Sequence, residues 1–168
     1  LNYMPEGERL AEVEDATGPA SQESGNTVIS SSQKMMTDMP NTWTDGPDME
    51  IELGTKPGLR YDKTELTVKA GSKIALTFTN TDDMLHNVVF VEPNSADEIG
   101  KEAMTLGLDG PDMEYVPQSN KVLFYAPLVN PGDDVTIYFE APEEPGEYQF
   151  VCTYPGHYIT MRGIFKVR

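Results

Sequence analysis

The 168 residues include one cysteine, two histidines and one tryptophan, and only 12 Lys and Arg stand against 28 Asp and Glu. A single thiol excludes an internal disulfide, so no covalent staple supports the fold and the free sulfur needs another use. The formal charge of −16 opposes binding to nucleic acid or to anionic lipid; it either favours positively charged partners or serves only to keep a secreted domain soluble. Apolar residues make up 38% of the chain, yet they fall in short groups, none near the roughly 20 residues that a membrane-spanning helix needs. Neither a charged n-region nor an apolar h-region follows Leu1, so the sequence reads as processed, excised or truncated.

What is present divides at about residue 47. Residues 1–47 are rich in Ser, Gly, Asn, Pro, Asp, Glu and Met without a sustained period. They read as an acidic flexible leader or linker, because such a composition buries too little surface to offset its ordering entropy. Within it, Glu6 to Ala16 suits a short acidic helix, marginal in isolation. Over residues 48–168 the period becomes two. Met49, Ile51 and Leu53 alternate with Glu50 and Glu52, which predicts a half-buried strand. Further strands are expected over Leu66–Ala70, Lys73–Asn80, His86–Glu92, Lys121–Leu128, Asp134–Ala141, Gly146–Cys152 and Met161–Val167. Residues 93–118 break the pattern and predict a short helical flap with Ile99, Ala103 and Met104 on one face.

Seven to eight short strands punctuated by Pro-Gly turns predict an all-β fold, a two-sheet antiparallel Greek-key sandwich with the flap as an insertion. On the strand that ends at Cys152, the residues Tyr148, Phe150 and Cys152 share parity. If the aromatic pair faces the core, so does the thiol, at one pole of the sandwich.

Cys152 opens the run CTYPGHYITM, with His157 five residues on and Met161 nine; His86 supplies a second imidazole. A thiolate, two imidazoles and a thioether suit copper, since the soft sulfurs favour Cu(I) while imidazole serves both oxidation states. Two other readings stand beside this one. A structural zinc site would use the Cys and His, although zinc rarely takes a Met. Alternatively, Cys152 and Met161 are ordinary packing residues and both histidines lie in loops with satisfied nitrogens. The methionines at 35, 36, 39 and 49 raise a further possibility of weak Cu(I) handling through thioethers.

The segments CTYPGHYITMRG and DDMLHNVVF resemble those of the cupredoxins, the small type 1 blue copper proteins, and most of all azurins and auracyanins. The resemblance covers about Met49 to Arg168. It implies His86, Cys152 and His157 as in-plane copper ligands and Met161 as the axial one, with one copper per chain. It also implies that Asn87 braces the ligand loop near Cys152 and Thr153, and that His157 is an electron port ringed by Met84, Leu85, Pro155 and Tyr158. The chain differs from azurins in having Leu85 where they have Gly before the upstream His, and in lacking their disulfide.

That resemblance implies a one-electron carrier cycling between Cu(II) and Cu(I), and not an enzyme, since four protein donors leave no vacant position for a substrate. Expected partners are redox proteins, such as a cytochrome or a membrane electron-transfer complex, with a basic docking face; nucleic acid is not expected. A periplasmic or other extracytoplasmic location follows, with the leader as a possible tether to a membrane anchor or a larger redox protein.

Overall fold

The computed structural model describes residues 31–168; the acidic helix expected over Glu6 to Ala16 lies outside them. A helical turn, α1 (Ser31–Lys34), precedes strands β1 (Met49–Leu53), β2 (Thr55–Lys56), β3 (Arg60–Tyr61), β4 (Glu65–Val68), β5 (Lys73–Thr79) and β6 (His86–Val91). Helix α2 (Ala96–Met104) and two 3-10 turns, Gly107–Asp109 and Pro111–Met113, follow. The chain then runs through β7 (Val122–Val129), β8 (Asp134–Glu140) and β9 (Gly146–Val151), a 3-10 turn at His157–Ile159, and β10 (Arg162–Val167).

A three-stranded sheet, β1-β5-β8, packs on a five-stranded sheet, β4-β10-β9-β6-β7, and β2 pairs only with β3. The all-β two-sheet sandwich with a short helical insertion is therefore the architecture the chain adopts. The sheets are mixed, however, where wholly antiparallel sheets were expected: β1 runs parallel to β5 and β4 parallel to β10. Parallel neighbours need a long crossover. Residues 54–72 supply one for β1 and β5, and the rest of the domain separates β4 from β10.

The core forms where the alternating faces meet. Ile74, Leu76 and Phe78 of β5 and Ile137 and Phe139 of β8 close on Val88, Phe90, Phe150 and Phe165 from the other sheet. Val135, expected inward with Ile137 and Phe139, is only partly buried. All six residues of β6 are buried, because this strand is covered on both sides. Val88 and Phe90 enter the sandwich, while Val89 and Val91 pack under α2 against Ile99 and Ala96. Of the helix face expected from sequence, Ile99 and Ala103 are buried, but Met104 is 51% exposed. One residue past Ala103, a 3.6-residue turn rotates its side chain away from the sheet.

The segment before β1 touches the sandwich ahead of residue 47. The carbonyl of Met36 accepts a hydrogen bond from the backbone N–H of Tyr138 on β8 (2.9 Å). Trp43 is buried, with its ring edge-on to that of Tyr138. Met35 is half-buried, whereas Met39 and Met49 are exposed.

Candidate metal centre

Two antiparallel neighbours set the site. Strands β6 and β9 pair with Val89 opposite Val151, so the start of β6 and the end of β9 lie at the same pole of the sandwich. His86 is the first residue of β6 and Cys152 the first beyond β9. The chain then turns back. His157 N–H donates to the Tyr154 carbonyl (2.9 Å), and Gly156 adopts a φ of +85° that a side chain would resist. Met161 N–H donates to the His157 carbonyl (2.9 Å), and the Met161 carbonyl accepts from Cys152 N–H (3.0 Å). The loop is thereby closed on itself, and Met161 is held beside the cysteine before β10 begins.

The donor atoms converge. Cys152 Sγ lies 3.8 Å from His86 Nδ1 and 3.6 Å from His157 Nδ1, and the three ligand atoms lie within 4.8 Å of one another. Bonds of about 2.0–2.3 Å from one ion to N and S, diverging by about 110–120°, leave those atoms about 3.5–3.7 Å apart. The two sulfur-to-nitrogen distances, 3.8 and 3.6 Å, are close to what a single first-row ion requires. Among the described residues, these three form the one group of His, Cys, Asp and Glu able to hold a metal. His86, Cys152 and Met161 are fully buried and His157 is 4% exposed, so the site excludes bulk water.

Without a cation the site is electrostatically uncomfortable. Burial pushes the Cys152 thiol up to about 12, although backbone N–H groups of Asn87 and Tyr154 aimed at the sulfur favour its anion. Burial, then the charge of His86, lowers His157 to about 4, with Asp82 pulling the other way. A dry pocket that disfavours both a bare thiolate and a protonated imidazole suits a metal that needs the sulfur deprotonated and the imidazoles neutral.

Around the donors, Asn87 is fully buried and holds three bonds. Its Nδ2 donates to Thr153 Oγ1 and to the Glu114 carbonyl (2.9 Å each), and its Oδ1 accepts from Thr153 N–H (2.8 Å). Asn87 and Thr153 thus lie together, linking the two strand ends that carry His86 and Cys152. Of the residues expected around His157, Pro155 is exposed, Met84 is 42% exposed and Leu85 is half-buried. Tyr158 instead packs under α2, where a side chain at Gly100 would overlap its ring.

Sequence reasoning missed three contributors. Buried Tyr61 donates to the Asn87 carbonyl (2.6 Å). Glu114 Oε1 accepts from Leu128 N–H (2.8 Å), fastening the flap whose carbonyl Asn87 grips. Asp82 Oδ2 lies 2.8 Å from His86 Nε2; that hydrogen bond, followed by one from the Asp83 backbone, lowers the Asp82 carboxyl from its ordinary value. Only Asp82 left a trace in the sequence, as a carboxylate four residues before the histidine.

Residues 48–168 match the family model described as copper binding proteins, plastocyanin/azurin family. Auracyanin-A of Chloroflexus aurantiacus is 37% identical over 122 residues, covering 70% of this chain and 73% of that protein. The solved structure of auracyanin A, a blue copper protein of Chloroflexus aurantiacus, superposes with a TM-score of 0.65 at 35% identity, over 71% of this chain and 98% of the other. The dithionite-reduced auracyanin of Roseiflexus castenholzii also gives 0.65 at 35% identity, over 73% and 99%. With the matching sandwich and the convergent side chains of His86, Cys152 and His157, these likenesses show that the chain belongs to the plastocyanin/azurin family of copper-binding proteins.

Proposed function

We propose that this protein is a one-electron carrier in which His86, Cys152 and His157 hold one copper ion and Met161 is a weaker fourth donor. The observation that carries the reading is the convergence of one thiol and two imidazole nitrogens within 4.8 Å, in a pocket where burial penalises a thiolate without a counter-cation. Copper bound there supplies reversible exchange of one electron between Cu(II) and Cu(I). The protein's part is to supply the donors, exclude water and resist rearrangement. The closed loop from Cys152 to Met161 and the Asn87–Thr153 bonds provide that rigidity. Both histidines of the chain are used as donors, so the reading assigns no catalytic role.

The partner is a redox protein, such as a cytochrome or a membrane electron-transfer complex, that presents a basic docking face. Support comes from the net charge of −16 and from apolar residues next to the ligands in sequence, with Met84 42% and Ile159 66% exposed. Docking through a small apolar patch with a charged rim is weak and brief, as turnover of a carrier requires. In this reading residues 48–168 are the copper domain. Residues 1–47 are an acidic leader that tethers it, outside the cytoplasm, to a membrane anchor or a larger redox protein, with the last part of the leader resting on β8 through Met36 and Trp43.

Visible absorption during copper titration tests the proposal. The wild type should develop an intense thiolate-to-copper band that saturates at one equivalent, and Cys152→Ser should not. A band of equal strength in Cys152→Ser, or a colourless wild type that binds copper, would overturn it. Fractionation of cells making the complete gene product tests the location, and recovery in the cytoplasm would refute the tether.

A further inference from the structure

The loop between β5 and β6 is built to hold a carboxylate against one histidine. Asn80 follows β5, is fully buried, and donates through Nδ2 to the carbonyls of Met84 and Val129 (2.8 Å each). Its Oδ1 accepts from the backbone N–H of Asp82 (2.9 Å), an Asx turn that fixes where Asp82 sits. The Asp82 side chain is 20% exposed, and its Oδ2 lies 2.8 Å from Nε2 of the fully buried His86. The other ring nitrogen, Nδ1, faces Cys152 Sγ at 3.8 Å. With Nδ1 as the donor to metal, the ring proton sits on Nε2 and is donated to Asp82.

We propose that Asp82 is a positioning residue that fixes the tautomer and orientation of His86 and, through its negative charge, biases bound copper toward Cu(II). The inference rests on the reading of His86 as a copper ligand. A carboxylate accepting the distal N–H makes the imidazole more electron-rich at its other nitrogen and holds the ring in one orientation. The more highly charged metal gains more from that electron density, so the oxidised state is favoured. A backbone carbonyl in the same place would orient the ring but lack the full charge. The burial of His86 and the limited exposure of Asp82 keep the interaction poorly screened.

Full-length copper-loaded protein and three variants test this. Asp82→Asn keeps an acceptor of the same shape and removes the charge; Asp82→Ala removes both. Asp109→Asn removes an equal charge from an exposed flap turn. The expected result for Asp82→Asn is about a tenfold loss in preference for Cu(II) over Cu(I), read as a midpoint potential about 59 mV higher, with the thiolate band kept. Asp82→Ala should shift at least as far, and Asp109→Asn should stay at the wild-type potential. An unchanged or lower potential in Asp82→Asn, or an equal rise in Asp109→Asn, would overturn the proposal. If neither Asp82 variant takes up copper, nitrogen-15 NMR of the metal-free wild type decides. A slowly exchanging proton on His86 Nε2 supports the proposal, and a proton on Nδ1 overturns it. A wild type with no thiolate band refutes the copper reading itself, whereas blue protein with equal potentials refutes only the role of Asp82.

Discussion

Replacing Asn87 by Ala should destabilise the metal-free protein by about 4 kcal/mol, and the figure follows from three hydrogen bonds. The side chain is fully buried, donates twice through Nδ2 and accepts once through Oδ1. Losing the two donated bonds costs about 1 kcal/mol each, the usual net worth of an intramolecular hydrogen bond. The accepted bond is worth more, because Thr153 is 1% exposed and its N–H would be left with neither protein nor bulk water. An unsatisfied buried donor costs about 2 kcal/mol. At about 4 °C per kcal/mol for a domain of this size, the melting temperature should fall by roughly 15 °C. Urea unfolding of the copper-free protein, followed by near-ultraviolet circular dichroism, is the assay. It reports the hydrogen-bond network apart from any contribution of the metal. A Thr153→Val variant completes a double-mutant cycle, and a coupling of about 1 kcal/mol or more is expected for groups in direct contact. A loss below about 1 kcal/mol in Asn87→Ala, with an unchanged denaturant slope, would mean that the two strand ends are not bridged in solution and would refute the reasoning.

Copper removal should lower stability, since an ion bound only by the folded state adds about 2.7 kcal/mol at a hundredfold excess over Kd; equal melting temperatures with and without copper would contradict this. Because burial holds the Cys152 thiol near 12, Cu(II) binding at pH 7 should release one proton from that residue, measurable by calorimetry in buffers of different ionisation enthalpy. The folded metal-free protein should also resist alkylation at pH 8. His157 lies near 4 in the folded chain against an ordinary 6.5, so between those values the unfolded chain binds a proton that the folded chain refuses. Stability of the metal-free protein should therefore fall as pH drops from 6.5 towards 4, and His157→Gln should lessen that fall. Gly100→Ala would place a methyl group in the ring of Tyr158, beside the ligand loop. A cost of about 1–3 kcal/mol for overpacking is expected, together with a shifted thiolate band; a band identical to wild type would show that α2 does not reach the site.

How far the sequence alone discloses this molecule depends on which interactions leave a period or a rare residue type. The strands of the sandwich are legible because water on one side and core on the other impose alternation, as in the pattern of Ile51 and Leu53 against Glu50 and Glu52. β6 is legible as a strand, but its burial on both faces is not, since a run such as HNVVFV does not say what covers its second face. The cover is α2, whose contact depends on Gly100 leaving room for Tyr158, a fit between residues 58 positions apart. Parallel pairing of β1 with β5 is hidden for a related reason: alternation reports which side chains face inward and is silent about strand direction.

The donors are legible for the opposite reason, that chemistry is scarce. Both histidines and the only cysteine of the chain meet at one pole, and rare residue types at a ligand-like spacing carry more information than common ones. The groups that govern the donors are common types and therefore hidden. One carboxylate among 28 acidic residues shows in the sequence only its place four residues before His86, and its importance appears only where the Asx turn at Asn80 aims it at the ring. The same holds for Tyr61, one of eight tyrosines, whose hydroxyl reaches the Asn87 carbonyl only because its ring packs between Phe78 and Phe150. In this fold the donor set of a metal site resides in scarce residue types and favours copper over zinc. The forces that set its affinity and potential reside in the directions of a few hydrogen bonds, which only the folded chain defines.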